Sequence, residues 1–361
     1  MQKIEVGAAI GIDIGAIGTK LAIVSRGSCR LFDSTYVPKI ENEIPEHYIG
    51  RLVSAIKMLK SYYKIASDDK ELLGVGLGIP SWNGEKKMVA NSPNMEFLND
   101  FPLVEALEEV FPQWEEKIVA DNDANVAGDA EVMFGGWEGS ERGINVFTLG
   151  GGVGFGGYLY DPTSDKLIKV TGAHYRGGEG GHIPIPHPPG APKRKCNCGY
   201  DDCLEAYASA TAVMNFAQMA ITPQTGSLID VMVAQDPVYD RSKRRGDQVT
   251  PLHIEKAAKI GDNRALEIQG WLAFALAHGM RAMNQIFDPG LFIICGGMSR
   301  WTAAIRQART ILHSLPGVVP NKGVRVCSSR LKNAGILGAA ALVLSENDNV
   351  GDEHQIGKDP I

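Results

Sequence analysis

Residues 9–24 read AIGIDIGAIGTKLAIV, which is two apolar runs joined by a glycine-containing turn. This plan is typical of a β-hairpin. The same plan returns in residues 144–160, which read INVFTLGGGVGFGGYLY. We interpret the two stretches as an internal duplication in which one copy opens each half of the chain. Two unrelated hairpins in a protein with many strands are the alternative.

Strands and helices alternate along the rest of the chain. Short apolar runs predict strands at 72–78, 117–120 and 291–295. Longer periodic patterns predict helices at 45–66, 102–110, 124–134, 204–220, 263–287 and 300–313. Such alternation favours an α/β protein whose helices cover its sheets.

Length, composition and charge narrow the class of protein. The chain has 361 residues, which favours two domains, and 44% of them are hydrophobic, which excludes disorder across the chain. The net charge of −6 argues against nucleic acid or an anionic membrane as the main partner. The longest apolar stretch, 334–344, is too short to span a bilayer, and Glu5 and Asp13 interrupt any secretory signal. We therefore expect a cytoplasmic protein.

Both hairpin turns are rich in glycine, which lets backbone N–H groups approach an anion because no Cβ intervenes. Asp13, Gly15 and Thr19 lie in or beside the first turn, and residues 150–154 form the second. Two such turns could hold one polyphosphate, with tight hairpins alone as the alternative. No helix pattern follows the GxGxxG spacing of residues 152–157, and no Walker A sequence occurs, so neither of those phosphate motifs applies.

An acidic turn precedes the third predicted helix. Residues 119–131 read VADNDANVAGDAE, and four of the five residues from Asp121 to Asn125 are Asp or Asn. Helix capping needs only one of them. An EF-hand calcium loop is excluded, because Val126 and Val132 stand where Gly and Glu are required. A carboxylate at the end of a strand is well placed to act as a general base toward a hydroxyl, and capping is the alternative.

Three cysteines, Cys196, Cys198 and Cys203, lie within eight residues. Zinc takes four tetrahedral nitrogen or sulfur ligands, so this spacing predicts a structural zinc site that needs a fourth ligand. His182 and His187 lie just upstream, and either could complete the set. Redox-active cysteines are the alternative.

The ordered motif from Glu179 to Glu205, E-x-x-H followed by C-x-C-G-x3-C-x-E, resembles the ROK family of repressors, open reading frames and sugar kinases. The chain is most similar to the glucokinase-type members, from about residue 10 to residue 344. Other segments that resemble the family are D-x-G at 13–15, the second turn at 149–157, N-D-A-N at 122–125, S-P-N at 92–94, I-C-G-G-M-S at 294–299 and a closing helix at 334–340.

The resemblance implies an α/β fold of two RNase H-like domains, as in the actin-like ATPases, with a cleft between them. It implies a smaller domain of residues 1–121 joined by about 333–346, and a larger domain of residues 122–332 that carries the zinc loop. The tail at 347–361 is expected to be flexible, and the protein is expected to be a homodimer. A dedicated DNA-binding domain is not expected, because only twelve residues precede Asp13.

The resemblance further implies transfer of the γ-phosphoryl group of ATP to a hexose hydroxyl, with glucose as the favoured substrate. Asp123 would be the general base. Sugar contacts are implied for Asn94, Asn122, Asp123, Glu179, His182 and Glu205. Contacts to the nucleotide and its Mg²⁺ are implied for Asp13, Gly15, Gly18, Thr19, Gly150, Gly151, Gly152, Gly296 and Gly297. Zinc, held by His182, Cys196, Cys198 and Cys203, would brace the sugar pocket without taking part in the chemistry.

The chain departs from the family pattern near the phosphates and the metal. Ile17 and Gly151 stand where the family usually has a hydroxyl-bearing residue, which leaves open whether ATP or another polyphosphate is the donor. The spacing between His182 and the first cysteine is longer than usual, which keeps His187 as a rival ligand. Asp202 replaces the common glycine before the third cysteine.

Two other functions stay open at this point. One is a kinase for fructose, mannose or an N-acetylhexosamine, because the sequence does not name the sugar. The other is a non-catalytic, sugar-binding regulator, since the family includes repressors that keep the sugar site.

Overall fold

The computed structural model describes residues 7–15, 18–25, 30–31, 34–65, 72–90, 92, 95–137, 142–175, 177–221 and 226–346. The described residues form two compact units. The first takes those within 1–137, 171–177 and 331–361, and the second takes those within 138–170 and 178–330. The predicted tail at 347–361, together with Ile17 and Asn94, lies outside the described residues.

The first unit is built on a sheet that begins with the predicted hairpin. Its strands are β1 (Ala8–Gly15), β2 (Gly18–Ser25), β3 (Arg30–Leu31), β4 (Thr35–Pro38), β5 (Leu72–Ile79) and β8 (Ile118–Asn122), while β6 (Trp82–Asn83) and β7 (Met88–Val89) form a separate small hairpin. The strand order is β3-β2-β1-β5-β8, and β4 also pairs with β2. β1, β2 and β3 are antiparallel neighbours, whereas β5 and β8 run parallel to β1.

The second unit repeats this arrangement. Its strands are β9 (Ile144–Leu149), β10 (Val153–Asp161), β11 (Lys166–Lys169), β12 (Leu291–Cys295) and β13 (Arg325–Ser328). Their order is β11-β10-β9-β12-β13, with three antiparallel neighbours followed by two parallel strands. The two sheets share one order and one set of strand directions, as the interpretation of the two hairpins as an internal duplication predicts.

Helices cover the sheets close to the predicted positions. They are α1 (Pro45–Tyr62), α2 (Leu103–Val110), α3 (Asp123–Phe134) and α10 (Ala334–Glu346) in the first unit, and α4 (Glu205–Ala208), α5 (Ala210–Ala220), α6 (Leu228–Ala234), α7 (Pro251–Lys259), α8 (Asn263–Phe287) and α9 (Thr302–Ser314) in the second. α8 has the predicted bounds, because Asp262 caps its start and Asp288 leaves the helix with φ 44°. Among the described residues, no helix has both the length and the apolar character that a membrane crossing requires.

α10 lies directly on the sheet of the first unit. A Cβ at Gly11 of β1 or Gly76 of β5 would overlap the backbone of α10, so glycine at these two positions permits the close approach. α3 packs on α10 in turn, where Gly338 faces the backbone of Val126. The first unit therefore includes α3, whereas the boundary predicted after residue 121 falls ahead of that helix.

The prediction of one continuous helix over 204–220 was wrong. Ser209 separates α4 from α5 with φ −83° and ψ 159°, and its hydroxyl accepts the N–H of Ala212 at 3.1 Å. Serine competes for the helix start because its side chain replaces a missing backbone acceptor. The break allows the N–H of Ala210 to donate to the carbonyl of Gly150 at 2.8 Å, so α5 begins at the second glycine turn.

Ser209→Ala should destabilise the protein by about 1 kcal/mol, because it removes the cap of α5. Urea unfolding measures this effect as a lower midpoint at an unchanged slope. Ser54→Ala is the control, since the Ser54 hydroxyl only donates back to Gly50 within α1. Equal midpoints for wild type and Ser209→Ala would show that the cap contributes nothing.

Candidate active site and metal centre

The acidic turn closes β8 and starts α3. Asn122 caps the helix, because its Oδ1 accepts the N–H of Ala124 at 3.0 Å. Oδ1 of Asp121 accepts the N–H of Asn122 at 2.7 Å and a proton from Nδ2 of Asn125 at 3.0 Å. These bonds fix the path of the chain between the strand and the helix.

Asp123 is the first residue of α3, and its side chain is exposed. The capping role that the sequence left as an alternative falls to Asn122 instead. The Asp123 carboxylate lies at the helix N-terminus, where the helix dipole favours a negative charge. It also follows the carboxyl end of a parallel strand, which is the edge where open α/β sheets bind ligands. A carboxylate in this position can accept a proton from a bound alcohol.

The first glycine turn joins β1 to β2, where Gly15 pairs with Gly18. Thr19 follows the turn, but its side chain is 1% exposed and its hydroxyl lies 2.6 Å from that of Tyr48 on α1. Thr19 therefore supports the turn from the core, in contrast to the nucleotide contact predicted for it. Sequence reasoning misses Tyr48, because its position on the apolar face of α1 predicts only packing.

Asp13 lies on β1 just before the first turn. A Cβ at Gly335, in the first turn of α10, would overlap the Asp13 carboxylate, so the two are in close contact. Burial raises the pKa of Asp13 above its ordinary value of 3.8, and the charge of Lys20 across the hairpin lowers it in part. A carboxylate held beside a glycine turn is a ligand type that Mg²⁺ accepts.

We expect Asp13→Asn to raise the melting temperature at neutral pH. The raised pKa means that folded Asp13 binds its proton more tightly than unfolded Asp13 does, so stability is lost as the pH rises from 3.8 through the raised value. The neutral amide removes this loss. Calorimetry of both proteins between about pH 4 and pH 8 measures the difference between their melting temperatures, which should grow with pH. A variant that is less stable than wild type at neutral pH would contradict the expectation.

The second glycine turn, residues 150–152, joins β9 to β10 and is held by the start of α5. The N–H of Ala210 donates to the carbonyl of Gly150, and the Thr211 hydroxyl donates to the carbonyl of Gly151 at 2.7 Å. The start of α5 thus holds the turn by hydrogen bonds to the carbonyl oxygens of Gly150 and Gly151. Thr211 also brings an exposed side chain to the turn in which Gly151 lacks one.

Gly296 and Gly297, which were predicted to contact the nucleotide, follow the end of β12. Gly296 has φ 84°, and a Cβ there would overlap the backbone of Leu149. The structure therefore brings this glycine pair beside the residue that precedes the second turn. Glycine is required at position 296 for both the backbone conformation and the close approach.

Four side chains of the second unit converge on one point. They are His182, Cys196, Cys198 and Cys203, whose ligand atoms all lie within 4.8 Å of one another. Sγ of Cys196 lies 3.4 Å from Nδ1 of His182, and Sγ of Cys198 lies 3.6 Å from Sγ of Cys203. Ligands about 2.0–2.3 Å from a central tetrahedral ion lie at such separations from one another. The cluster has the geometry to hold one metal ion.

His187, the rival ligand, is engaged elsewhere. Its Nδ1 lies 3.2 Å from Oδ1 of Asp202, and its Nε2 lies 3.0 Å from the carbonyl oxygen of Ala191. Among the described residues, the metal-binding group contains His182 and not His187. The structure thus favours His182 of the two histidines.

Two of the three thiols, those of Cys196 and Cys203, lie in surroundings that disfavour their ionisation without a cation, whereas a backbone hydrogen bond from Tyr200 lowers the pKa of Cys198. Burial raises the pKa of Cys196, and burial together with the neighbouring cysteines raises the pKa of Cys203 to about 12. Metal binding requires thiolates, and the charge of the ion supplies the stabilisation that the protein does not. The donor set therefore fits a cation better than it fits free, reactive thiols.

Two glutamates lie beside the metal cluster. Oε2 of Glu205 accepts the N–H of Val153 at 2.9 Å, and Oε1 lies 3.9 Å from Sγ of Cys196. Oε2 of Glu179 lies 4.0 Å from Nε2 of His182, and the Glu179 side chain is 71% exposed. His182 thus directs Nδ1 toward the cysteines and Nε2 toward Glu179. We call Glu179, His182 and Glu205 with the three cysteines the metal corner.

The predicted sugar residues are distributed over both units. Asn122 and Asp123 belong to the first unit, and Glu179, His182 and Glu205 belong to the second. Each group is local in its own unit, at the end of β8 in one case and beside the start of β10 in the other.

Two sheets of the same order, each opening with a hairpin that carries a glycine turn, define the actin-like ATPase fold. The sequence model of the ROK family matches residues 9–346, and the chain belongs to this family.

Proteins of known name resemble the chain over most of its length. It is 31% identical to a glucokinase of Thermotoga maritima over 342 residues, and these residues cover 92% of this chain and 96% of that protein. It is 28% identical to a xylose repressor of Caldicellulosiruptor bescii over 348 residues, and these residues cover 95% of this chain and 79% of the repressor. The crystal structure of a ROK family glucokinase from Streptomyces griseus in complex with glucose and AMPPNP superposes with a TM-score of 0.70 at 25% identity, over 93% of this chain and 99% of that one.

Proposed function

We propose that the protein transfers the γ-phosphoryl group of ATP to a hexose, with glucose as the substrate and glucose 6-phosphate as the product. The observation that carries the proposal is the exposed carboxylate of Asp123, which directly follows β8. Asn122 caps α3, so the Asp123 carboxylate is not used as the helix cap. The similarity to the glucokinases of Thermotoga maritima and Streptomyces griseus supports glucose as the sugar.

In the proposed reaction Asp123 is the general base. Its carboxylate accepts the proton of the sugar hydroxyl as that oxygen forms a bond to the γ-phosphorus, and the bond from the γ-phosphorus to the bridging oxygen of ADP breaks. Glu179, His182 and Glu205 accept or donate hydrogen bonds to the ring hydroxyls, with Asn122 and Asn94 as further contacts. Phosphoryl transfer depends mainly on positioning and charge neutralisation, which these contacts supply.

The nucleotide site is proposed to be formed by the two glycine turns with Asp13. Gly15, Gly18 and residues 150–152 offer backbone N–H groups to the phosphates, and Gly296 and Gly297 border the adenosine. Asp13 takes part through Mg²⁺, which neutralises phosphate charge when it is bound with the nucleotide. The buried Thr19 hydroxyl is left out of this site.

The metal corner is proposed to bind a structural zinc ion. Three thiolates and one imidazole form a soft, tetrahedral ligand set of the kind that zinc prefers, and no position is left open for a reacting water. The ion would fix Glu179 and Glu205 and would not take part in the transfer. Elemental analysis of the purified protein should find one zinc per chain.

A coupled assay of ADP release tests the proposed function. The panel is glucose, fructose, mannose and N-acetylglucosamine, each with ATP and separately with inorganic polyphosphate. We expect turnover that requires sugar and ATP and is fastest with glucose. If polyphosphate is instead the better donor, the missing hydroxyl at Gly151 would be explained by a change of phosphoryl donor.

A sugar-binding regulator is the second candidate. Gly151 of the second turn, where the family usually has a hydroxyl, and the similarity to a xylose repressor favour it. Sugar binding by calorimetry without turnover on any sugar or donor would support the regulator and would contradict the kinase.

We further propose that the protein is a cytoplasmic homodimer, as its resemblance to ROK kinases implies. Light scattering after size-exclusion chromatography tests the oligomer directly. A mass of one chain across the working concentration range would contradict it.

A further inference from the structure

Asp202, which immediately precedes the ligand Cys203, has an unusual backbone. Its φ is 54°, in the left-handed region that residues with a Cβ adopt at a cost and that glycine adopts freely. An aspartate here therefore needs interactions of its side chain that offset this cost.

The Asp202 carboxylate makes two hydrogen bonds that glycine cannot make. Its Oδ1 accepts the Tyr207 hydroxyl at 2.6 Å and lies 3.2 Å from Nδ1 of His187. Tyr207 belongs to α4 and is 0% exposed.

The same bonds organise the long loop before the cysteines. The N–H of Arg194 donates to the Tyr207 hydroxyl oxygen at 3.2 Å, and the N–H of Asp202 donates to the Arg194 carbonyl at 3.4 Å. His187 also reaches the carbonyl of Ala191. The loop of residues 186–195 is therefore tied to Asp202 through His187, Arg194 and the Tyr207 hydroxyl.

The backbone after Asp202 leads directly into the metal corner. Cys203 is a ligand, and the N–H of Leu204 donates to the carbonyl of Ile183 at 3.0 Å, next to His182. Glu205 follows and bonds to the start of β10. The conformation of Asp202 thus sets the direction in which Cys203 and Glu205 leave the loop.

We propose that Asp202 is a positioning residue of the metal corner. Its bonds to Tyr207 and His187 hold the Cys203–Glu205 segment and the long loop in the geometry that binds the metal. The inference rests on the proposed metal site.

The Asp202→Gly variant distinguishes the positioning role of the Asp202 side chain from the effect of backbone strain alone. Glycine relieves the left-handed conformation but removes both side-chain bonds, so the two effects have opposite signs. Tyr207→Phe leaves the backbone at 202 unchanged and removes the shorter bond to Asp202, together with the contacts of the Tyr207 hydroxyl to the N–H of Arg194 and to Nδ1 of His187. Asp202→Asn tolerates the left-handed region and keeps an oxygen that can accept the Tyr207 hydroxyl. Tyr200→Phe is the matched control, because Tyr200 lies two residues before Asp202 with its side chain 77% exposed.

The experiment measures zinc release from each intact protein to a chromophoric chelator, together with hydrogen exchange of residues 186–207. We expect release about ten-fold faster in Asp202→Gly and Tyr207→Phe, as for other partners of metal ligands, with an intermediate rate in Asp202→Asn and the wild-type rate in Tyr200→Phe. Exchange of the loop should rise in the same order. The KM for glucose should rise while kcat changes little, because the segment contacts sugar and not the reacting atoms.

Wild-type zinc release and wild-type loop exchange in Asp202→Gly would overturn the proposal. A protein without kinase activity whose Asp202 variants still lose zinc would contradict the proposed function and support the positioning role. A purified protein that contains no zinc and binds none when zinc is added would also overturn the proposal, because there would be no metal geometry for Asp202 to hold.

Discussion

Asp123→Asn is expected to lower kcat by about 10²–10⁴-fold, the range in which general-base catalysis contributes. An amide of the same shape cannot accept the proton of the attacking hydroxyl. Glucose affinity should change little, because the side chain that caps α3 belongs to Asn122 and the local fold is retained. The coupled assay measures kcat, and calorimetric titration with glucose measures affinity separately.

The control for this variant is Glu109→Gln. Glu109 is an exposed residue of α2 in the same unit, and the exchange of carboxylate for amide is the same. It should leave kcat at the wild-type value. Turnover of Asp123→Asn within a few-fold of wild type, with sugar affinity intact, would remove Asp123 from the reaction.

Cys198→Ser is expected to abolish stoichiometric zinc binding and to raise the KM for glucose by at least about ten-fold, the scale seen when a metal site is perturbed. Cys198 supplies one of four donors, and its sulfur lies 3.6 Å from that of Cys203. Without the ion, the corner that positions Glu179 and Glu205 loses its common anchor. Elemental analysis and a glucose titration of activity measure the two effects.

Cys327→Ser is the matched control for the metal prediction. Cys327 lies on β13 in the same unit and is not part of the converging group. It should retain one zinc and the wild-type KM. If Cys198→Ser keeps both its zinc and its glucose affinity, the assignment of the metal corner is wrong.

The duplicated fold could be predicted because its signal is local. Each hairpin consists of two apolar runs and a glycine turn, and the strand that follows is a short apolar run, so periodicity alone indicates the elements. The helix at 263–287 was predicted with its observed bounds for the same reason. The pairing of β12 with β9, far apart in the chain, required the resemblance and the structure.

The metal corner could be predicted because its ligands lie within 22 residues of one another along the chain, from His182 to Cys203. The choice between two histidines could not, because it depends on which imidazole other groups engage. His187 is bonded to Asp202 and Ala191, and no spacing reveals that.

The directions of the side chains at the turns also could not be predicted from the sequence. Thr19 lies beside a glycine turn, yet its hydroxyl meets Tyr48, which is distant in sequence and reached only after α1 folds onto the sheet. Ser209 lies within a helical pattern, and the break there depends on the docking of Ala210 on Gly150. Both are tertiary effects that override a local preference.

Phosphorus NMR of the purified protein with ATP, Mg²⁺ and glucose identifies the product of the proposed phosphoryl transfer from ATP to a hexose hydroxyl. We expect the γ-phosphate resonance of ATP to give way to those of ADP and glucose 6-phosphate in equal amounts, and we expect Asp123→Asn to form both about 10²–10⁴-fold more slowly. Release of inorganic phosphate alone, or no change in the ATP resonances with any hexose, would contradict it.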